Sequence, residues 1–131
     1  MCGIFGAVSS THVQDSLIKG LSKLEYRGYD SAGISLITKT KKIKRLRCVG
    51  KVKNLKSLVN KSKSSGVCGI AHTRWATHGK PILKNSHPHN SDEVSIVHNG
   101  IIENSDDLKI FLKKKKFKFT SDTDSEVIAH L

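Results

Sequence analysis

Three cysteines, two prolines, one tryptophan and an aromatic content of 5% leave several protein classes out of reach of these 131 residues. Cys2, Cys48 and Cys68 are odd in number and widely spaced, which suits neither a disulfide framework nor a four-cysteine zinc site, so reduced thiols are expected. No apolar run approaches the roughly 20 residues that cross a bilayer. Met1-Cys2-Gly3-Ile4-Phe5 also lacks the basic start of a secretory leader. The expectation is a cytoplasmic chain with no membrane partner. Acidic residues are scarce as well, 11 against 23 basic ones, for a formal charge of +12. Clustered lysines can bind nucleic acid by releasing counterions. Here they gather at Lys39-Thr40-Lys41-Lys42, Lys51 to Lys63 and Lys113 to Lys116, segments that read as turns and helix ends, with no interleaved aromatics to stack bases. A solvated basic surface is predicted, and no nucleic-acid partner.

What is present fits one domain of alternating short elements, 37% hydrophobic. Ile4 to Val8 reads as a buried strand, and Ser9-Ser10-Thr11 offers caps for a helix whose face is Val13, Leu17, Ile18, Leu21 and Leu24, with Gly28 as its stop. Ala32 to Ile37 and Ile43 to Val49 read as strands around the turn Thr38 to Lys42. A short helix follows on Val52, Leu55, Leu58 and Val59, then a loop over Asn60 to Gly66. Val67 to His72 is the next strand, leading into Thr73-Arg74-Trp75-Ala76-Thr77-His78-Gly79, which reads as an irregular loop of the kind that carries chemistry. Asn99-Gly100 between Val94–His98 and Ile101-Ile102 signals a tight hairpin. Asn104 or Ser105 caps a helix with Leu108, Phe111 and Leu112 inward. Phe117-Lys118-Phe119 alternates like a strand, and Thr123-Asp124-Ser125-Glu126 matches a capping box before Val127, Ile128 and Leu131.

Cys2 carries the first chemical signal. Loss of Met1 would leave a thiol and a free α-amine on one residue, and an α-amine with an ordinary pKa of about 7.7–8.0 can take the thiol proton and return it to a leaving amine. A small buried cysteine in an N-terminal strand is the plainer alternative. The histidines His72, His78, His87, His89 and His98 raise a metal, but no cysteine or acid recurs at zinc-like spacing, so no metal is expected.

Five segments in order, Met1-Cys2-Gly3-Ile4, Leu24 to Gly33 with Tyr26-Arg27-Gly28-Tyr29-Asp30, His72 to Gly79 with Arg74-Trp75-Ala76-Thr77-His78, His98 to Asn104, and Asp122 to Val127, resemble the class II glutamine amidotransferases of the N-terminal-nucleophile hydrolase superfamily. Within them the resemblance is to the glutaminase domain of the glucosamine-6-phosphate synthase family, the isomerizing glutamine–fructose-6-phosphate aminotransferases. It implies an α+β fold, part of a four-layer αββα sandwich of the N-terminal-nucleophile (Ntn) type. It implies Cys2 as the nucleophile that forms a γ-glutamyl thioester, with Asn99 and Gly100 as the oxyanion hole. Arg74 would hold the α-carboxylate of L-glutamine and Asp124 its ammonium, Thr77 and His78 would make further contacts, and Trp75 would belong to a closing loop. No cofactor is implied. By this resemblance residues 2–131 are an amidotransferase domain incomplete at its C-terminus. The synthase domain that takes fructose 6-phosphate is absent and the full-length family member is a homo-oligomer. A truncated remnant, or a basic binding module without catalysis, is the alternative.

Overall fold

In the computed structural model, residues 1–76 and 80–131 are described. Strand β1 (Gly3–Val8) is followed by helix α1 (Gln14–Leu24), which tightens into a 3₁₀ turn over Glu25–Arg27 and stops at Gly28, whose N–H bonds the Glu25 carbonyl. The Ser and Thr residues before α1 do not cap it. Ser9 Oγ accepts the Thr11 N–H instead, and Val13, buried to 1% exposure, opens the helix as an apolar anchor. Strands β2 (Ser31–Ile37) and β3 (Ile43–Val49) form the expected hairpin, and α2 (Val52–Ser62) takes in residues read as loop. Strand β4 (Cys68–Arg74) runs two residues past the sequence reading, because Thr73 and Arg74 pair with Ala32 and Ser31 on β2. The polar character that argued for a loop there has two sources: Arg74 shares the polar face of the sheet with His72, and Thr73, on the opposite face, spends its hydroxyl on the Gly3 N–H.

The four strands form an antiparallel sheet in the order β1-β4-β2-β3. One row across it, Phe5, Ala71, Ile34 and Leu46, is apolar, and with Ala32, Leu36 and Cys48 it packs against Val13, Leu17, Ile18 and Leu21 of α1 and Val52, Leu55 and Val59 of α2. This is the hydrophobic core. The next row, Ile4, His72, Gly33 and Arg47, faces the other way. The 84–89 segment lies against that face so closely that a Cβ on Gly33 would stand 2.1 Å from the His87 carbonyl oxygen. Arg47 donates to the Ser86 carbonyl at 2.7 Å, Arg45 to the Pro88 carbonyl at 3.3 Å, and Ser95 to Ser35 at 2.7 Å.

A second sheet, β5 (His89–Ser91) with β6 (Val94–Ile96), sits on this polar face, backed by α4 (Glu126–His130), with α3 (Ser105–Lys114) against α4. The layers therefore run helices, sheet, sheet, helices, an α+β architecture. No described helix is long and apolar enough to cross a membrane. The three cysteines are free. Two lysine runs fall where read, Lys39 to Lys42 in the β2–β3 turn and Lys113 to Lys116 at the end of α3, whereas the stretch from Lys51 to Lys63 runs along the whole of α2.

Four expectations fail here. β1 is not a buried strand: it lies at the edge of the four-stranded sheet with Ile4 41% and Val8 80% exposed. Phe117-Lys118-Phe119 is not a strand, its two rings packing on His130 instead. α3 buries only Leu112 of its expected inner face and has no side-chain cap from Asn104. The capping box does not close either. The Glu126 carboxylate takes the N–H groups of Thr120 and Ser121 at 2.8 and 2.7 Å and both their hydroxyls, while Thr123 Oγ1 bonds His89 Nε2.

Candidate active site

Cys2 lies at the start of β1 and is fixed by residues far away in sequence. Asn99 Oδ1 accepts the Cys2 N–H and Asn99 Nδ2 donates to the Cys2 carbonyl, both at 3.4 Å. Thr73 Oγ1 accepts the next N–H, that of Gly3, at 3.1 Å. The thiol sits beside the chain leaving β4, with the Trp75 N–H directed at Sγ over 3.4 Å. The thiol in turn lies 3.8 Å from the Trp75 carbonyl oxygen, so both backbone polar groups of Trp75 meet the sulfur.

The Asn99-Gly100 hairpin does not form. β6 ends at Ile96 and pairs with β5, and Gly100 lacks the positive φ that a two-residue hairpin of that sequence requires. The pair occupies an open loop instead, held from below by His72 on β4, whose Nε2 lies 3.2 Å from the His98 carbonyl oxygen. A carbonyl only accepts, so His72 carries its proton on Nε2.

Arg74, at the end of β4, is 4% exposed, with Nη1 3.9 Å from Asp30 and 3.2 Å from the Lys80 carbonyl. Asp30 also takes the Ala76 N–H, so one carboxylate ties the arginine to the segment that follows it. Asp124, 6% exposed, is not a helix cap. Its Oδ2 accepts the Ile102 N–H at 2.7 Å, and Oδ1 lies 3.3 Å from Ser125 Oγ.

Cys2, Arg74, Trp75, Asn99, Gly100 and Asp124 all line one cavity of about 250 Å³, which His98, Thr123 and Ser125 also border. Six of the eight residues expected at a site are thus gathered there. Thr77 and His78 lie outside the described residues. Trp75 is 46% exposed at the rim, edge-on to Tyr29 with ring centroids 5.4 Å apart. An arginine and a carboxylate in the same recess can hold an amino acid by both charged ends, beside a thiol and an amide donor.

Beneath the cavity lies a histidine stack that composition did not reveal. His72 and His87 are stacked at 4.1 Å and His87 meets His89 edge-on at 4.4 Å. Burial pushes the His72 pKa down to about 3 and that of His89 to about 4, and lowers His87 further still. All three are neutral near pH 7. Neither ring nitrogen of His87 has a hydrogen-bond partner among the described residues, nor does Nδ1 of His72 or His89. Burial alone would raise the Glu126 pKa, but the hydrogen bonds from Ser121 and Thr120 outweigh it and leave it below its usual range. Among the described residues no group of His, Cys, Asp and Glu side chains is arranged to hold a metal ion.

Sequence reading weighs His98 only as a metal ligand and places Asp30 and Ser125 in matched segments without a role at the site, whereas the structure has all three supporting it. His98 precedes Asn99 and Ser125 follows Asp124, and that adjacency to two expected ligands was the available signal.

Residues 72–131 match the family model described as a glutamine amidotransferase domain. Over its whole length the chain is 56% identical to a glutamine–fructose-6-phosphate aminotransferase (isomerizing) of Buchnera aphidicola and 55% identical to that of Haemophilus influenzae, in each case covering 22% of the relative. It is 58% identical to that of Acinetobacter baylyi, covering 21%. The chain therefore spans about a fifth of the length of these relatives. Among solved structures, the glutamine phosphoribosylpyrophosphate amidotransferase of B. subtilis superposes on 99% of the chain with a TM-score of 0.73 at 28% identity, using 28% of its own length. An allosteric regulatory enzyme of purine biosynthesis does so with a TM-score of 0.76 at 30% identity, over 99% of this chain and 28% of its own. The αββα layers are accordingly the Ntn-type amidotransferase fold, and the chain is similar over its whole length to part of the glutamine–fructose-6-phosphate aminotransferases.

Proposed function

We propose that this chain performs the glutamine half of an aminotransferase reaction, hydrolysing L-glutamine to glutamate and ammonia on Cys2. The observation that carries the reading is the grip of Asn99 on both backbone polar groups of Cys2, in a cavity shared with Arg74 and Asp124. Once Met1 is removed, the Cys2 nitrogen already held at Asn99 Oδ1 becomes the α-amine. That amine takes the thiol proton as sulfur attacks the side-chain amide carbon of glutamine. The carbonyl oxygen of the tetrahedral intermediate is met by the Gly100 N–H and by the second hydrogen of Asn99 Nδ2, since only one of its two is spent on the Cys2 carbonyl. The C–N bond breaks, the proton passes to departing ammonia, and a thioester remains. Water then attacks the thioester, releasing glutamate and returning the proton to sulfur. Arg74 pairs with the substrate carboxylate and Asp124 with its ammonium, so the reacting carbon is presented to sulfur by charges at the far end of the molecule.

In the named relatives the nitrogen acceptor is fructose 6-phosphate, and we assign that step to polypeptide this chain does not match. The test is direct. Intact mass should show loss of Met1, glutamate should accumulate from glutamine, and an electrophile shaped like glutamine should modify Cys2 ahead of Cys48 and Cys68. No glutamate release, with equal modification of all three thiols, would replace this reading with that of a binding module lacking catalysis.

A further inference from the structure

His98 is held at three points. Its carbonyl oxygen is bonded by the buried His72 at 3.2 Å. Its Nδ1 lies 3.0 Å from Ser125 Oγ. Its Nε2 edge lies over Gly100, where an added Cβ would approach within 2.7 Å. Ser125, 3% exposed, stands 3.3 Å from Asp124 Oδ1, and the other oxygen of that carboxylate accepts the Ile102 N–H. The protons can be assigned along this chain. A carboxylate only accepts, so the single hydroxyl proton of Ser125 points to Asp124, and the lone pair it leaves is filled by a proton on His98 Nδ1. The hydrogen bonds run in one direction, from the imidazole through the hydroxyl to the carboxylate.

Their effect is to connect two parts of the site that belong to different loops. Asn99 and Gly100 face the reacting carbonyl, while Asp124 faces the ammonium at the other end of the same small molecule. The distance between those ends is set by the substrate's own covalent chain, and an error of about 1 Å in a reacting geometry can cost on the order of a hundredfold in rate. We propose that His98 and Ser125 form a positioning latch that helps fix the oxyanion-binding loop at Asn99-Gly100 relative to the ammonium-binding carboxylate of Asp124, adding a side-chain link to the Ile102 N–H bond that ties the same stretch to that carboxylate, so that both ends of glutamine are registered together. The latch rests on the glutamine-hydrolysis reading above. Neither residue acts on a reacting atom; His98 works through Asn99 and Gly100, and Ser125 through Asp124.

The experiment compares glutamate release by the wild-type chain with that of Ser125→Ala, Ser125→Thr, His98→Phe, His98→Asn and the double variant S125A/H98F. Alkylation of Cys2 by iodoacetamide, which has no head group to register, serves as the measure of an intact site. Ser125→Ala should raise KM and lower kcat, for a loss of about tenfold or more in kcat/KM, with the iodoacetamide rate within about twofold of wild type. Ser125→Thr keeps the hydroxyl, and His98→Asn offers an amide N–H where Nδ1 stood, so both should recover most of the loss. The double variant should be no worse than the poorer single one, because both changes cut one link. If Ser125→Ala does not fold, His98→Phe against His98→Asn makes the same comparison from the other side of the bond. Losses that multiply in the double variant, or single variants with unchanged kcat and KM, would overturn the latch and leave glutamine hydrolysis standing. A wild-type chain that releases no glutamate would overturn both.

Discussion

Gly28 lies against the peptide that joins Arg74 to Trp75: a Cβ at Gly28 would stand 2.7 Å from the Arg74 carbonyl carbon and 2.9 Å from the Trp75 nitrogen. Its φ of −175° is ordinary extended backbone, so the requirement is for space. The neighbours are main chain and cannot swing aside. Gly28→Ala should therefore push the Arg74–Trp75 peptide away from Cys2, costing about 1–3 kcal/mol of stability and depressing glutamine turnover more than the stability loss explains. Urea midpoints measured beside kcat/KM at a temperature where both proteins are folded would check this. A variant that loses stability while keeping full turnover would show that the peptide has room to shift.

Asn99→Ala removes the two bonds to Cys2 and the proposed side-chain oxyanion donor together. Loss of one such donor in an acyl-transfer site lowers kcat by about 100- to 1000-fold. The head-group contacts are untouched, so KM should change little. Single-turnover measurement of thioester formation separates this from slowed hydrolysis, and a variant with raised KM and normal kcat would place Asn99 in substrate binding instead.

Arg74 and Asp124 should behave as a pair of ground-state anchors. Arg74→Lys keeps the charge but loses the planar fork that matches a carboxylate, and Asp124→Asn keeps a hydrogen-bond acceptor for the Ile102 N–H while abolishing the ion pair with substrate. Both should raise KM by about tenfold or more. Asp124→Asn should leave thermal stability nearly unchanged because its backbone contact survives. A Tm drop without a kinetic effect would make the aspartate structural.

The histidine stack sets a pH dependence of folding. His72 and His89, at about 3 and about 4, lie below the ordinary histidine value, and His87 lies lower again. Between about pH 6.5 and these values the unfolded chain binds protons that the folded chain refuses, so stability falls as pH falls. Each buried histidine contributes a slope of up to about 1.4 kcal/mol per pH unit in that window. Glu126, held below its usual range, adds a further loss only under more acid conditions. Urea denaturation at pH 7.5, 6.5, 5.5 and 4.5 should show a steepening decline below 6.5, reduced by one proton in His87→Gln. A flat profile down to pH 5 would mean that the stack is protonated or hydrated in the folded protein.

Much of the scaffold was legible because local pattern and tertiary environment agree. Ile34 and Leu36 alternate with Gly33 and Ser35 as a strand with one apolar face should, and Leu17, Ile18 and Leu21 mark the buried face of α1. Legibility ended where long-range partners outbid short-range ones. Asn99-Gly100 has the sequence of a hairpin, but Asn99 is taken by Cys2, 97 positions away. Glu126 has the spacing of a capping box, but the N–H and hydroxyl groups of Thr120 and Ser121 reach it first. Phe117 and Phe119 alternate like a strand, yet find His130 rather than a neighbouring strand. Of the site, the residues that face the cavity could be named from motifs, whereas the His98–Ser125 and His72–His98 bonds join loops whose proximity no local pattern encodes.

The sheet order also has a consequence in time. Among the described strands, β1 is hydrogen-bonded only to β4, with Gly3 opposite Thr73. The first strand therefore has no strand to pair with until residues near Thr73 have been made, and at ordinary synthesis rates of about 5–20 residues per second that is roughly 4–14 s after it emerges. Throughout that interval Met1 hangs from an unpaired strand, open to a processing enzyme. If Cys2 works with its own amine, the nucleophile is finished on the nascent chain, before the cavity that will use it has closed around it.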